Sequence, residues 1–336
     1  MTVKVFVVLY VIVYGGLGIL VRNAAVCMEV SPVMKRRGLF KIAALVAVLS
    51  LLSGCAASTG STRIAGRNIE TNKKTVLIEE AKLQGADMEK LAALPDMEEL
   101  KLHRCEVSDY SALSAAPSLR KLELFKTDID DLSLISHLTD LQVLDINTAG
   151  FSDLNPLTQM TGLKELILYK CSGIKDLSPL SSMTGLKTLY LGAIKADDYT
   201  PLSKMTGLNS LSLSETTVDS QLECLSELKA LECLNLNYMK IDDFSPLKGL
   251  TNLKTLSINQ AQCQDLRPLY GMTQLEDLTI CGNIDGKFII DLKGLTQLKN
   301  LKKLTITGNY TDYETEELLR KSIPGLIIDI PARLGY

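Results

Sequence analysis

Residues 141–168 read LQVLDINTAGFSDLNPLTQMTGLKELIL, and this stretch decides the fold. It contains the pattern L-x-x-L-x-L twice, first at Leu141, Leu144 and Ile146 and then, 22 residues later, at Leu163, Leu166 and Leu168. The same core occurs ten times between Met97 and Ile306, at steps of 22 or 23 residues and one final step of 26. Self-similarity at a fixed period of roughly 20–50 residues indicates a repeat architecture in which neighbouring units stack.

Each unit combines two different periods. The alternating L-x-L part predicts a short strand with one buried face. Behind it, the apolar residues Leu154, Leu157 and Met160 recur at every third position, which is the period of a 3₁₀ helix. Asp153 precedes this segment, where its carboxylate can accept from free backbone amides, and a proline follows where a missing N–H costs little. The same pairing recurs at Asp176/Pro179, Asp198/Pro201, Asp243/Pro246 and Asp265/Pro268.

These cores, together with the D-x-x-P-L-x-x-[LM]-T-x-L tails, resemble the 22-residue, internalin-like class of bacterial leucine-rich repeats. The resemblance covers residues 75–330 and implies an α/β leucine-rich repeat solenoid, with a curved parallel sheet on the concave face and short 3₁₀ or irregular segments on the convex face. The chain departs from the family at the turn position, where Asn is usual. That position holds Cys105, Thr127, Ala149, Cys171, Thr216, Met239 and Ala261, with Asn only at Asn283 and Asn309. We therefore expect the buried Asn ladder to be mostly missing.

The repeat region needs covers at both ends, because a single repeat cannot bury its leucines alone. The strand-like segment 75–80 and the helix-like segment 86–93 predict an N-terminal cap. At the other end, Thr311 and Glu314 have capping-box spacing ahead of a short helix, and 326–330 predicts a closing strand. The predicted organisation is an N-terminal segment 1–54, a flexible tether 55–72, a cap 73–96, about ten repeats over 97–309 and a cap 310–336.

The N-terminal segment reads as an export signal. Lys35-Arg36-Arg37 precedes an apolar run at 42–49, and small residues lead to Cys55, which is the layout of a secretory signal. Leu52-Ser-Gly-Cys55 resembles the lipobox of bacterial lipoproteins, which implies that Cys55 is acylated and becomes the first residue. We favour a start at Met34 or Met28. A plain transmembrane anchor over 38–54 stays open, and translation from Met1 would add a membrane helix at Val5–Val21.

Composition narrows the function classes. Beyond residue 54 the chain carries 30 basic and 38 acidic side chains, a net charge of −8, which disfavours nucleic-acid binding. Its two histidines leave few ways to build a metal site or a histidine-based catalyst. We expect no cofactor, no metal, no small-molecule substrate and no enzymatic activity. The six cysteines after Cys55 show no framework spacing and are predicted to be free thiols.

The face of the sheet that the leucines leave free, the open face, is the predicted working surface. One column of outward positions is Lys101, Glu123, Asp145, Ile167, Tyr190, Ser212, Asn235, Ser257, Thr279 and Thr305. The next is His103, Phe125, Asn147, Tyr169, Gly192, Ser214, Asn237, Asn259, Cys281 and Thr307. Nine strand intervals make this face about 43 Å long, which suits a macromolecular ligand better than a small metabolite.

Exposed aromatics beside charged residues are typical of binding hot spots, and they concentrate on repeats two to five. The hypothesis is a protein partner bound by Phe125, Asp145, Ile167, Tyr169, Tyr190, Lys126 and Lys170, with Phe125, Tyr169 and Tyr190 as anchors. The alternative, which the sequence leaves open, is that these residues pair across strands and stabilise the sheet.

The resulting interpretation is a monomeric, non-catalytic lipoprotein at the cell membrane or outer surface, with its folded domain outside the cytoplasm. The repeat supports binding to a protein, and adhesion is what the internalin resemblance implies. The alternative is a structural scaffold of a membrane-bound envelope complex. An enzyme would need a nucleophile, a base and an orienting group. His103 and Cys105 are predicted to face opposite sides of the sheet, which argues against a Cys–His catalytic pair. The row of aspartates is predicted to cap the 3₁₀ segments rather than to bind calcium.

Overall fold

The protein is represented by a computed structural model. It describes residues 3–9, 24–30, 60–217, 222–241, 243–259, 265–281, 291–307 and 313–330, with only the backbone for 3–9, 24–30 and 281. The chain divides into a unit of residues 1–59 and a unit of residues 60–336.

In the first unit, strands β1 (Val3–Leu9) and β2 (Ala24–Val30) pair in antiparallel fashion. The conditional membrane helix at Val5–Val21 overlaps β1 as far as Leu9, and the rest of it lies outside the described residues. Cys55 and the basic and apolar regions of the predicted signal lie outside them as well. Within the described part of the chain, no helix combines the length and apolar character that crossing a bilayer requires.

The second unit opens with a hairpin where the sequence predicted a tether. Strands β3 (Ser61–Ile64) and β4 (Arg67–Glu70) pair in antiparallel fashion. Ile64 is fully buried, and the amide of Ala65 in the turn donates to Asp87 Oδ1 at 3.0 Å. The prediction of a flexible tether is therefore wrong for residues 60–72, because one buried isoleucine and one turn bond fix the hairpin to the first helix.

The cap and first repeat follow in order. They comprise β5 (Thr75–Glu79), β6 (Lys82–Leu83), helix α1 (Gly85–Ala92), β7 (Glu99–His103) and β8 (Glu106–Val107). The remaining elements are β9 (Lys121–Phe125), β10 (Val143–Asn147), β11 (Glu165–Tyr169), β12 (Thr188–Gly192), β13 (Ser210–Ser212), β14 (Cys233–Asn235), β15 (Thr255–Ile258), β16 (Asp277–Cys281), β17 (Lys303–Thr307), helix α2 (Tyr313–Ser322) and β18 (Ile327–Asp329).

One parallel sheet of twelve strands organises this unit, in the order β5, β7, then β9 to β18. The strands of both caps therefore continue the sheet of the repeats. β6 and β8 form a separate two-stranded parallel pair beside it. A sheet in which the repeat strands lie side by side in sequence order, with a short return between them, confirms the predicted leucine-rich repeat solenoid.

The core is a stack of equivalent leucines. Leu144 pairs in register with Leu122 on one side and with Leu166 on the other, and the same register runs from Val76 in β5 to Ile328 in β18. The inward residues of the L-x-L cores, from Leu100 to Ile306, are at most 3 % exposed. Strand alternation places these side chains on one face and leaves the residues between them on the other.

The return segments are the predicted 3₁₀ helices, for example Asn155–Gln159, Ser178–Ser182 and Thr200–Lys204. The row of aspartates caps them as expected. Asp153 Oδ1 accepts from the amide of Asn155 at 2.8 Å, and Asp176, Asp198, Asp243 and Asp265 accept in the same way from the residue two positions later. This local hydrogen bond accounts for the aspartate at this position in these five repeats.

Cysteine and threonine replace the Asn ladder at the turn. Thr127 Oγ1 donates to the carbonyl of Leu102 at 2.7 Å, and the thiols of Cys105 and Cys171 lie 3.4 Å and 3.6 Å from the carbonyls of Ile78 and Ile146 in the preceding repeats. Asn283 and Asn309 lie outside the described residues. Cys105, Cys171, Cys224 and Cys233 are free thiols, which agrees with the predicted redox state for these four.

Directly after several strands, one residue adopts a backbone conformation in the left-handed region. Lys126 (φ 49°), Thr148 (φ 62°) and Lys170 (φ 54°) adopt it without being glycine. This conformation lets their amides donate to Asn147, Tyr169 and Gly192 in the next strand at 2.8–2.9 Å. The backbone ladder thus continues one residue past each strand, which offsets a strain of about 1–2 kcal/mol per residue.

Substitutions of Leu168 and Ile167 test which face of the sheet is the core. These neighbours differ in burial, because Leu168 points inward and is fully buried whereas Ile167 points outward. We expect Leu168→Ala to lower the free energy of unfolding by about 2–5 kcal/mol and Ile167→Ala by about 1 kcal/mol or less. Urea unfolding followed by circular dichroism measures both. Equal losses would contradict this assignment of the faces.

Candidate binding face

The open face has the two predicted columns in register. Asp145 pairs with Glu123 and Ile167, and Ile167 pairs in turn with Tyr190. In the second column, Asn147 lies between Phe125 and Tyr169. The structure therefore brings Phe125, Asp145, Ile167, Tyr169 and Tyr190 onto four neighbouring strands, β9 to β12. Lys126 and Lys170 lie in the turns directly after β9 and β11.

A network of ion pairs fills the face on β7 and β9. Lys101 Nζ lies 3.2 Å from Glu123 Oε2 and 3.3 Å from Glu99 Oε1, and Lys121 Nζ lies 2.8 Å from the same Glu99 oxygen. His103 Nε2 lies 2.7 Å from Glu123 Oε1. Burial raises the pKa of Glu123, but the hydrogen bonds from His103 and Lys101 outweigh it and leave that pKa below the ordinary value. Lys101 and Lys121 are therefore both paired with acidic side chains of this chain.

Asp145 lies beside this network without a basic partner among the described residues. Burial is the main cause that raises the pKa of Asp145 to about 6; the neighbouring charges of Glu123 and Glu165 add to it, and those of Lys121 and Lys101 oppose it. Its register partners are a carboxylate and an isoleucine, so neither can neutralise it. The face therefore contains a carboxylate whose ionised form is destabilised and which a positive charge from outside would stabilise.

The aromatic residues form two pairs. The rings of Tyr169 and Tyr190 meet edge to face with centroids 6.3 Å apart, and Phe125 packs against His103 at 5.4 Å. Lys126 Nζ lies 5.5 Å from the centroid of Phe125, and Lys170 Nζ lies 5.1 Å from that of Tyr169. The left-handed turns place both lysines beside the ring that precedes them.

Gly192 makes the space that the two tyrosine rings occupy. A Cβ atom on Gly192 would lie 2.4 Å from Tyr190 Cε1 and 2.5 Å from Tyr169 Cδ2, which is too close for any real contact. The register explains this, because Tyr169 pairs directly with Gly192 across β11 and β12. The glycine therefore belongs to the site, although its position in the second column was its only signal in the sequence.

Beyond β12 the face changes character. Ser212, Ser214, Asn235, Asn237, Ser257 and Asn259 are linked from strand to strand by side-chain hydrogen bonds. Both columns on β13 to β15 carry only neutral polar groups. The open face thus divides into a charged, aromatic half and an uncharged half that meet at Tyr190 and Gly192.

Sequence reasoning missed two features of this site. The unpaired state of Asp145 depends on which residues flank it in the sheet, and only the 22-residue spacing of Glu123 and Asp145 hinted at adjacent like charges. The left-handed turns at Lys126 and Lys170 had no signal at all, because Asn and Gly are absent there. Cys105, by contrast, is buried and His103 lies on the open face, as predicted.

We expect Asp145→Asn to raise the free energy of unfolding at pH 7 by about 1–2 kcal/mol, since the fold disfavours the ionised carboxylate. The folded pKa lies above the unfolded value near 3.8. The gain is therefore complete above pH 6 and fades as the pH falls from about 6 to about 4. Urea unfolding of both proteins between pH 4 and 8 measures this.

Asp131→Asn is the matched control with the opposite sign. Hydrogen bonds from Ser133 lower the pKa of Asp131, so its carboxylate stabilises the fold above its unfolded pKa and loses that effect as the pH falls. This variant should lower stability at pH 7. A pH-independent effect of Asp145→Asn, or a loss of stability at pH 7, would contradict the assigned environment.

Neither the comparison with protein-family models nor that with curated proteins finds a match. Solved structures do match. An internalin, InlF, from Listeria monocytogenes is 23% identical, with a TM-score of 0.54 over 85% of this chain and 88% of that chain. A leucine-rich repeat protein of Leptospira interrogans is 19% identical, with a TM-score of 0.51 over 72% of this chain and 68% of the other.

The TLR13 chain of a complex with single-stranded RNA is 18% identical, with a TM-score of 0.51 over 76% of this chain and 46% of that chain. At these identities the likeness concerns the fold alone. Together with the twelve-stranded parallel sheet and the stacked leucines, it establishes that the described residues between 60 and 330 have an internalin-like leucine-rich repeat fold.

Proposed function

We propose that this chain is a non-catalytic lipoprotein of the cell surface which holds a protein partner on the open face of β9 to β12. The observation that carries the proposal is the group of half-buried rings, Phe125, Tyr169 and Tyr190, beside Asp145, an acid that forms no ion pair with the described residues and whose pKa burial raises. A few residues, enriched in Trp, Tyr and Arg, supply most of the binding energy at protein interfaces. The sheet fixes their backbone, so a partner would bind without ordering a loop.

The charges suggest what the partner presents. Asp145 and Glu165 form no ion pair with the described residues, so an arginine or lysine of the partner would find a carboxylate and an aromatic ring together. The exposed Lys126 and Lys170 at the strand ends would meet acidic groups at the rim. Contacts at the rim govern the rate of association more than the affinity.

Three of the four free thiols among the described residues support a non-catalytic role, and the fourth, Cys233, is exposed. Burial raises the pKa of the thiols of Cys171 and Cys224, to about 11 and about 12, and it also raises the pKa of Cys105. Such thiols are poor nucleophiles near neutral pH. The imidazole of His103 is engaged by Glu123, and the convex-side aspartates are engaged in caps.

A crosslinking experiment tests the proposed partner. Benzoylphenylalanine in place of Asn147, between Phe125 and Tyr169, should capture a protein when the full chain is illuminated on intact cells. Phe125→Ala with Tyr169→Ala and Tyr190→Ala in the same chain should reduce the adduct at least about tenfold, because the anchors are lost. Gly192→Ala, which displaces both tyrosine rings without removing them, should also reduce it. Mass spectrometry quantifies the adduct.

The control carries the crosslinker at Thr279, which lies on the same face outside β9 to β12. Equal adducts from positions 147 and 279, or an adduct at 147 that survives the triple substitution, would contradict the proposed site. A partner from another cell would identify an adhesin, and an envelope protein of the same cell would identify a scaffold.

The lipid anchor has its own test. We expect the full chain to incorporate a clickable palmitate analogue, Cys55→Ser to lose this label, and Cys233→Ser, which replaces an exposed free thiol, to keep it as the matched control. In-gel fluorescence after expression in a bacterial host measures the label on the parent protein and on both variants. Labelling of Cys55→Ser at the level of the parent protein would show that Cys55 is not the acylated residue.

A further inference from the structure

The uncharged half of the open face carries neutral hydrogen-bonding groups, namely serine hydroxyls and asparagine side-chain amides. We define the amide strip as Ser212, Ser214, Asn235, Asn237, Ser257 and Asn259, on and directly after β13 to β15. Asn235 Oδ1 accepts from Ser214 Oγ at 2.8 Å and from the backbone amide of Asn237 at 3.0 Å. Asn237 Oδ1 accepts from Ser257 Oγ at 2.8 Å and from the backbone amide of Asn259 at 2.6 Å.

These contacts fix the orientation of two side-chain amides. A backbone N–H can only donate, so the atom of Asn235 and of Asn237 that faces it is the oxygen. Each of those oxygens already accepts two hydrogen bonds, which fills its lone pairs. The two NH₂ groups remain, and no described residue accepts a hydrogen bond from either of them. Both asparagines are partly exposed, so these donors face the solvent side of the sheet.

A ligand for this strip needs oxygen acceptors and no charge. The network uses the asparagine oxygens internally and offers N–H donors outward, so hydroxyl, ether or carbonyl oxygens fit it. An anion would lose hydration here without meeting a cation, because the two columns on β13 to β15 contain none. A cation would meet no carboxylate in those columns, and the nearby carboxylate of Glu215 accepts from Tyr169 Oη at 3.4 Å.

The border of the strip supplies a second recognition element. Tyr190 pairs in register with Ser212, and the Tyr190 ring packs against Tyr169. Partly exposed aromatic faces attract the polarised C–H groups of a sugar ring. Strand spacing places β11 to β15 about 19 Å apart, so an extended chain can contact the rings and the amides together.

We propose that the amide strip binds an uncharged carbohydrate chain, with Asn235 and Asn237 donating to its oxygens and Tyr190 packing against a sugar ring. This binding site is distinct in its residues from the protein site on β9 to β12 and shares with it only the tyrosine border. Because Tyr190 belongs to both sites, the test uses the amide strip, which has no role in the proposed protein binding, so either activity can fail while the other stands.

Asparagine-to-aspartate substitutions test the proposal without disturbing the network. Asn235→Asp and Asn237→Asp keep the oxygens that accept from Ser214, Ser257 and the backbone, but replace each outward donor by a carboxylate oxygen. Asn147→Asp makes the same chemical change on the same face outside the strip. Thermal unfolding should show that all three variants keep the fold.

Affinity electrophoresis of the full chain in gels that contain dextran, mannan, laminarin or xyloglucan measures binding, with alginate as a charged polysaccharide. We expect at least one neutral polysaccharide to retard the protein, and retardation to weaken about tenfold or more in Asn235→Asp and Asn237→Asp. Asn147→Asp should bind like the parent protein, and alginate should not bind.

Several results would overturn the proposal. These are no retardation by any of the four neutral polysaccharides, equal retardation by alginate, or unchanged binding in both strip variants. A protein adduct from benzoylphenylalanine at Thr279 that disappears in Asn237→Asp would assign the strip to a protein instead.

Discussion

The structure depends on the register of one leucine against the next. Leu100, Leu122, Leu144 and Leu166 occupy equivalent positions in neighbouring strands, and each is covered by the one before it and the one after it. No strand has enough apolar surface of its own to stay folded, so stability is shared between neighbours. The first and last repeats each lack one neighbour, so both ends of the stack need a cover. The hairpin of β3 and β4 supplies the buried Ile64 at one end, and β18 pairs with β17 at the other.

The same constraint creates the binding face. Because alternation commits every second strand residue to the core, the residues between them are free to vary in chemistry without costing the fold its packing. The chain uses this freedom in two ways. On β7 to β12 it carries acids, cations and aromatic rings, and on β13 to β15 it carries hydroxyls and amides. Gly192 marks the change, because its missing side chain admits the rings of Tyr169 and Tyr190.

Much of this architecture is readable from the sequence because it is local and repeated. The 22-residue step, the L-x-L strands, the 3₁₀ returns and the capping aspartates each depend on residues within one unit, and ten copies reinforce the pattern. The hairpin at 61–70 occurs once, among small polar residues, so nothing repeats to reveal it. The unpaired Asp145 and the amide orientation of Asn235 depend on side chains a full repeat away in sequence, so only the register brings them together.

Coupling between leucine layers tests the central claim of nearest-neighbour stacking most directly. Leu144 and Leu166 are register partners, whereas Leu144 and Leu256 lie five strands apart, about 24 Å. Double-mutant cycles with valine at these positions, measured by urea unfolding, should give an interaction energy of at least about 0.5 kcal/mol for the first pair and additivity within about 0.3 kcal/mol for the second. Equal interaction energies for the two pairs would contradict the stacking account.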